Sequence, residues 1–206
     1  MRPERRRAQT EMPSQEEIRR IVASIVDGVL ARTGENLASD AQAAPAPESD
    51  GRHRCIAVGA DHGGYPLKER IGFYLREQGY DVTDCGTNSP DSVDYPDFAH
   101  AVARLVGDGT CSEGIIVDGA GIGSAMVANK VPGVRAALCY DVSSARNSRE
   151  HNHANVLTLG AGLIGNALAL QIVDAWLATG WGPGRHARRV DMITDIEGRY
   201  LKGDRT

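Results

Sequence analysis

The sequence predicts an α/β domain with a parallel β-sheet, preceded by a separate helix on a linker. Five short runs of apolar or β-branched residues alternate with helical patterns after residue 54. Strands that alternate with helices of about 10–15 residues are typical of βαβ units, in which the strands run parallel. The 206 residues are enough for one such domain of about 150 residues and an appendage.

The first predicted element is an amphipathic helix near the N-terminus. Ser14, with Glu17 three residues later, forms a capping-box pattern that marks its start. Apolar residues then recur at helical spacing. They are Ile18, Ile21, Val22, Ile25, Val26, Val29 and Leu30. A stripe of this width requires a partner surface, so residues 1–32 are predicted to form a tail and a docking helix.

A change in composition separates this helix from the rest of the chain. Residues 33–53 are rich in Ala, Pro, Ser, Asp and Gly, which predicts a flexible, disordered linker. The α/β domain is accordingly expected to occupy residues 54–206.

The α/β domain is predicted to contain five strands and six helices. The strands are expected at residues 56–60, 81–86, 114–119, 134–140 and 156–162. The helices are expected at residues 65–78, 96–107, 123–130, 143–150, 164–179 and 186–201. In open α/β sheets, ligands bind outside the carboxyl ends of the strands, so polar residues at those ends are candidates for a site.

Two polar residues, Asp61 and His62, follow the first strand. An acid and a histidine at a strand end can transfer protons or hold an anion. An aspartate in this place is also often only the N-cap of the next helix, so both interpretations stay open.

A glycine-rich loop follows the third strand. It begins with Asp118 and contains Gly119, Gly121 and Gly123. Glycines let backbone N–H groups approach a ligand closely, and the N-terminus of the next helix adds positive potential. The loop therefore suits a phosphate or an enediolate oxygen. A dinucleotide fingerprint has a different spacing and follows the first strand, so no nicotinamide cofactor is expected.

Two further polar groups come late in the chain. His151 and Asn152 precede the fifth strand and are expected at the mouth of the sheet, although a lone histidine is more often structural. Arg185 and Arg189 lie four residues apart, and on a helix they would share one face. Two guanidinium groups on one face suit a phosphate, whereas the alternative is a solvated basic turn.

Taken in order, these segments resemble the family of ribose-5-phosphate isomerase B and galactose-6-phosphate isomerase. They are ADHGG (60–64), DYP (94–96), DGAGIG (118–123), ANK (128–130), GVRA (133–136), HN (151–152), NVLTLG (155–160), IVDAWL (172–177) and GRH-x-x-RV (184–190). The resemblance covers nearly all of residues 54–200. It implies a Rossmann-like three-layer sandwich with a five-stranded parallel sheet. It also implies a homodimer, often paired into a homotetramer, with sites shared between subunits.

The resemblance further implies an aldose–ketose isomerase that acts on a small sugar phosphate through an enediol, without a metal or cofactor. Ribose 5-phosphate and ribulose 5-phosphate are the first candidates. By position, His151 resembles the acid that opens the sugar ring, and Asn152 with the glycine loop resembles the groups that stabilise the enediolate. Asp61 resembles a residue that binds a hydroxyl or shuttles a proton. His62, Arg185 and Arg189 resemble the phosphate grip.

Three positions depart from the family pattern. Asp118 stands where many members have a cysteine base, and it is the candidate base here. Ser124 stands where another branch has a glutamate base, and Gly162 replaces an arginine that helps to hold phosphate in some members. These departures leave open a different sugar phosphate, a hydrolase or lyase in which Asp118 activates water, or a non-catalytic assembly protein.

The composition of the chain limits the classes of partner and the cellular compartment that are expected. A net charge of −4 gives no indication of nucleic-acid binding. No apolar run approaches the roughly 20 residues of a membrane span, and no signal peptide is recognisable, so a cytoplasmic protein without membrane contact is expected. The four cysteines form no C-x-x-C pair and are expected to be free thiols.

The N-terminal helix and linker resemble the encapsulation peptides that direct enzymes into bacterial microcompartments. The resemblance implies a shell protein or another cargo enzyme as a partner of residues 14–32, by docking of the apolar stripe in a groove. The alternatives are docking of the helix on this enzyme's own surface and self-association through the same stripe.

Overall fold

A computed structural model of the chain describes residues 54–201, together with residues 14, 16, 20, 22–24 and 27. The chain divides into two units, Met1–Ala43 and Ala44–Thr206. In the first unit, residues 16, 20, 22–24 and 27 are helical, as the periodicity predicts. Ile18, Ile21 and Ile25 lie outside the described residues, as does the predicted linker, so the encapsulation hypothesis stays a prediction.

The second unit contains all eleven predicted elements. The strands are β1 (Cys55–Ala60), β2 (Asp81–Asp84), β3 (Glu113–Asp118), β4 (Ala136–Leu138) and β5 (Val156–Gly160). The helices are α1 (Tyr65–Glu77), α2 (Tyr95–Gly107), α3 (Ile122–Ala128), α4 (Val142–Asn152), α5 (Asn166–Ala178) and α6 (Arg185–Leu201). Every predicted boundary lies within two residues of the observed one.

The five strands form one parallel sheet in the order β2-β1-β3-β5-β4. The central strands β1, β3 and β5 are apolar along most of their length, because helices cover both faces of the sheet. On one face Ile56, Ile115 and Leu157 pack against α1, α4 and α5. On the other face Ala57 and Ile116 pack against α2 and α3. The predicted Rossmann-like three-layer fold is thereby confirmed.

The expectation of four free thiols is wrong for two of them. Cys55 and Cys111 form a disulfide, whereas Cys85 and Cys139 are free. The register pairs Ile56 of β1 with Glu113 of β3, which brings Cys55, the first residue of β1, close to the residues just before β3. The two cysteines are 56 residues apart in sequence, so the pairing follows from the strand order and not from a local pattern.

The parallel arrangement gives the sheet two chemically distinct ends. All five carboxyl ends lie at one end, the carboxyl edge, and all five amino ends lie at the other, the amino edge. β3, with six residues, separates them by about 20 Å. Among the described residues, no helix is both long enough and apolar enough to cross a bilayer.

Candidate active site

Two carboxylates lie side by side at the carboxyl edge. Asp118 is the last residue of β3, and Asp61 directly follows β1. The strands are neighbours, Ala60 pairs with Val117, and the Asp61 N–H donates to the Val117 carbonyl oxygen over 3.3 Å. Adjacent strands are about 4.8 Å apart, so both acids border the same space.

Asp118 is buried, and it holds the glycine loop through both carboxylate oxygens. Its Oδ1 accepts hydrogen bonds from the backbone N–H of Ala120, at 2.8 Å, and of Gly121. Its Oδ2 accepts from the backbone N–H of Ser124, at 3.1 Å, and from the Ser124 hydroxyl, at 2.5 Å. A carboxylate offers about four acceptor positions, so these four donors occupy all of them.

The loop has room only for glycine at its turn. Gly121 has a φ of 78°, which side chains disfavour, and a Cβ there would lie 2.5 Å from Leu138 Cδ1. The backbone N–H groups of Gly119 and Gly123 have no acceptor among residues 54–201. These two N–H groups are therefore available to a bound molecule, and the loop's role in binding stays a prediction.

Asp61 has one bonded and one unbonded oxygen. Its Oδ1 accepts from the Gly64 N–H over 2.8 Å, just before α1, so the capping interpretation accounts for that oxygen. Its Oδ2 has no hydrogen-bond partner in the described part of the chain. A Cβ placed on Gly63 would lie 3.4 Å from Asp61 Oδ1 and 3.8 Å from Gly119 N. Asp61 therefore lies beside the glycine loop.

The segment before α2 closes over this edge. His62 is exposed, and its Nδ1 lies 3.2 Å from both the N and the O atoms of Val93. The ring of Tyr95 lies against the glycine loop, since a Cβ on Gly123 would lie 2.6 Å from its Cζ. The sequence assigned Tyr95 no role. Its only signal was its place after the second strand, in the DYP segment.

His151 and Asn152 lie at the amino edge, and the expectation that they lie at the mouth of the sheet is wrong. They form the end of α4. Arg149, two residues earlier, donates over 3.2 Å to Glu113, the first residue of β3. The reason is topological: a helix that joins two parallel strands runs back along the sheet, so its C-terminus reaches the amino ends.

Two side chains fix the ring of His151. The Asn147 side-chain Nδ2 donates to its Nδ1 over 2.9 Å. Because an amide nitrogen only donates, the neutral ring carries its proton on Nε2. His186 stacks on the ring with centroids 4.2 Å apart. Desolvation lowers the pKa of His186, and the nearby charges of His151 and Arg185 lower it further, which favours a neutral stacking partner.

The arginine pair joins His151 at the amino edge. Arg185 and Arg189 lie one turn apart at the start of α6, and both are exposed. The Nε of Arg185 lies 3.4 Å from Nε2 of His186, which connects the pair to the histidine stack. Neither arginine forms an ion pair with a carboxylate among the described residues.

A buried ionic cluster supports this edge, and sequence reasoning missed it. The side chains of Arg149 and Glu113 are 5% and 6% exposed, and Arg54 also pairs with Glu113. Arg149 donates to the carbonyl oxygens of Ala154 and Thr179 as well. Desolvation lowers the pKa of Arg149 and the charge of Glu113 raises it. The cluster holds the end of α4, and with it His151, against the start of β3.

The predicted site residues thus form two groups at opposite ends of the sheet. The carboxyl half-site consists of Asp61, His62, Asp118 and Gly119–Gly123. The amino half-site consists of His151, Asn152, Arg185 and Arg189. A small substrate cannot bridge the roughly 20 Å length of β3 between them. No cluster of three or more His, Cys, Asp or Glu suited to a metal ion occurs in the described part of the chain.

Comparisons with known proteins all indicate the same family of isomerases. A family model described as Ribose/Galactose Isomerase matches residues 56–193. Ribose-5-phosphate isomerase B of Escherichia coli strain K12 is 46% identical over 144 residues, which are 70% of this chain and 97% of that protein. The structure of Clostridium thermocellum ribose-5-phosphate isomerase B is similar, with a TM-score of 0.70 at 51% identity, over 71% of this chain and 99% of that one.

A further similar structure contains a sugar phosphate. It is the Mycoplasma genitalium ribose-5-phosphate isomerase B with bound ribulose 5-phosphate. Its TM-score is 0.68 at 39% identity, over 70% of this chain and 96% of that one.

Proposed function

The chain belongs to the ribose/galactose isomerase family, and from that premise we propose that it isomerises a small aldose phosphate to the ketose phosphate. Ribose 5-phosphate and ribulose 5-phosphate are the first pair to consider, because several relatives are ribose-5-phosphate isomerases B. The observation that carries the proposal is that one matched region, residues 56–193, contains the residues of both half-sites.

The two half-sites supply complementary steps of this reaction. In the amino half-site, the protonated ring of His151 would give its Nε2 proton to the ring oxygen while the anomeric hydroxyl loses its proton to solvent, which opens the sugar. The carboxyl half-site supplies a carboxylate that takes a proton from C2. The N–H groups of Gly119 and Gly123, together with Asn152, are suited to hold the enediolate oxygen as charge develops there. Arg185 and Arg189 are suited to the phosphate.

A complete site requires two copies of the chain in this proposal. The argument is geometric, because the half-sites lie at opposite edges of one sheet, whereas a C₂ dimer can place the carboxyl edge of one copy against the amino edge of the other. The exposed apolar face of α6 offers a surface for such contact. It contains Met192, Ile193, Ile196 and Tyr200. We therefore propose a homodimer in the cytoplasm.

Isotope exchange tests the reaction itself. The full-length chain, incubated in deuterated water with a panel of pentose and tetrose phosphates, should introduce deuterium at C1 of the ketose and at C2 of the aldose. The reason is that a proton taken by a carboxylate exchanges with solvent before it returns. NMR or mass spectrometry of the recovered sugar measures the label. Release of inorganic phosphate, or no label from any sugar phosphate, would contradict the proposal.

The arginine pair provides a test of phosphate recognition. Arg185→Ala or Arg189→Ala should weaken binding of the phosphorylated substrate about ten- to a hundredfold, because a charge-assisted hydrogen bond is lost. KM and inhibition by inorganic phosphate measure the effect. Arg199→Ala is the matched control, since Arg199 is exposed on the same helix, about 15 Å from Arg189 and about 21 Å from Arg185 along the axis. Equal KM values for all three variants would remove the pair from the phosphate site.

The hydrolase or lyase alternative gains no support from the site. In that alternative Asp118 would activate a water molecule, which requires a free acceptor position on its carboxylate. All four positions are occupied by Ala120, Gly121 and Ser124.

A further inference from the structure

The two adjacent acids at the carboxyl half-site differ in whether they can accept a proton. We propose that Asp61 takes the proton from the substrate carbon, and that Asp118 is a positioning residue that shapes the glycine loop. The proposal rests on the isomerase function proposed above. It differs from the sequence-based expectation, in which Asp118 is the base.

Asp118 has no oxygen available for a substrate proton. Two donors approach each of its oxygens, and only 5% of the residue is exposed. A proton on Oδ1 would face the N–H groups of Ala120 and Gly121, and a proton on Oδ2 would face the N–H of Ser124. Protonation of Oδ1 would therefore place one hydrogen against another and break a bond that holds the loop, and protonation of Oδ2 would require the Ser124 hydroxyl to turn from donor to acceptor.

Asp61, unlike Asp118, has a carboxylate oxygen that is available to accept a proton. It is partly exposed, its Oδ2 has no partner in the described part of the chain, and it lies beside Gly119. The bond from the Gly64 N–H to Oδ1 fixes the orientation of the carboxylate and leaves Oδ2 free. An oxygen bound by Gly119 N–H would thus lie near the Asp61 carboxylate, whose Oδ2 is free to accept a proton.

The anchoring role explains two departures from the family pattern together. Asp118 stands where many members have a cysteine, and Ser124 stands where another branch has a glutamate. The Ser124 hydroxyl bonds to the Asp118 carboxylate. The acid draws the N–H groups of Ala120, Gly121 and Ser124 inward, while those of Gly119 and Gly123 keep no acceptor among the described residues. The charge on Asp118 thereby decides which donors of the loop remain available.

The proton transfer balances without a further reactant. Oδ2 of Asp61 takes the proton from C2 of the open-chain aldose, and the C–H electron pair becomes the C1–C2 double bond. The carbonyl oxygen at C1 becomes the enediolate oxygen, which the loop N–H groups hold. The proton then passes from Asp61 to C1 as the O2 hydroxyl loses its proton to solvent and becomes the ketone. Solvent supplies the proton that O1 gains.

The test compares substitutions at the two acids. Asp61→Asn should lower kcat about 10²- to 10⁴-fold, abolish deuterium exchange at C2, and leave KM and Tm close to those of the parent. Asp118→Cys restores the family cysteine but removes the acceptors of the loop. This substitution should lower Tm and activity. The acid limb of its pH profile, where the residual kcat falls as the pH is lowered, should coincide with the acid limb of the parent.

Two outcomes would overturn the proposal. One is exchange at C2 by Asp61→Asn within tenfold of the parent. The other is an active Asp118→Cys variant whose acid limb moves towards the pKa of a thiol, about 8.5. If Asp118→Cys fails to fold, Ser124→Ala replaces it. Ser124→Ala should speed amide hydrogen exchange at Ala120 and Gly121 and leave the acid limb of the kcat profile unchanged. Exchange at these two amides as slow as in the parent would contradict the anchoring role of Asp118.

The design also separates this inference from the proposed function. A parent chain that labels no sugar phosphate would overturn the function and, with it, the role of Asp61. Amide exchange in Ser124→Ala would still show whether Asp118 holds the loop, because that measurement requires no substrate.

Discussion

Mixing two inactive variants of this chain should restore about a quarter of the parent's specific activity. The variants are Asp61→Asn, which damages the carboxyl half-site, and His151→Ala, which damages the amino half-site. Each alone should be inactive, because every site in its homodimer carries the damage. In a mixed dimer, one site combines both damaged halves and the other combines both intact halves. Random pairing makes about half of the dimers mixed, and each mixed dimer has one intact site out of two, so about a quarter of all sites are intact.

The measurement is activity after subunit exchange or co-expression, with native mass spectrometry to count mixed dimers. The matched control mixes His151→Ala with Arg185→Ala. Both changes lie in the amino half-site, so no mixed dimer contains an intact site and activity should not rise above that of Arg185→Ala alone. Mixed dimers of the first pair without recovered activity would show that each chain builds its own site.

Replacement of Glu113 by glutamine should lower the free energy of unfolding by about 3–5 kcal/mol. The amide is nearly isosteric, but it leaves the buried guanidinium of Arg149 beside that of Arg54 without a counter-charge. A buried pair of this kind adds little net stability when intact, whereas removal of one partner leaves an uncompensated charge. Denaturant unfolding of the full chain measures the loss.

Glu77→Gln provides the control for this change. Glu77 is an exposed glutamate at the end of α1, and its substitution should alter stability by no more than about 0.5 kcal/mol. A loss below about 1 kcal/mol in Glu113→Gln would mean that Arg149 is stabilised mainly by its carbonyl contacts and by Trp176, over which it lies at 4.5 Å.

The fold was predictable because its signals are local. Each buried strand forms a short apolar run, and each helix begins near a proline, glycine or aspartate, as at Pro66, Pro96 and Asp141. The carboxyl half-site was predictable for a related reason. Asp61 and Asp118 end neighbouring strands, and the parallel rule places such residues at one edge without knowledge of the strand order.

The features that sequence reasoning missed depend on contacts between distant segments. His151 was assigned to the wrong edge because proximity to a strand in sequence does not say which end of that strand is near. The pairing of Cys55 with Cys111 and the burial of Glu113 against Arg149 follow from the packing of β1, β3 and α4. The bonds that occupy Asp118 follow from the turn at Gly121, which residue types alone do not specify.

In the proposed homodimer, the division of the site between opposite edges would make catalysis depend on the association of two chains. A chain that folds by itself but reacts only in pairs has a specific activity that depends on its own concentration. Below the dissociation constant of the pair, activity per chain would fall in proportion to dilution while the fold stayed intact. The supply of subunits, as well as the supply of substrate, would then set the flux through the reaction.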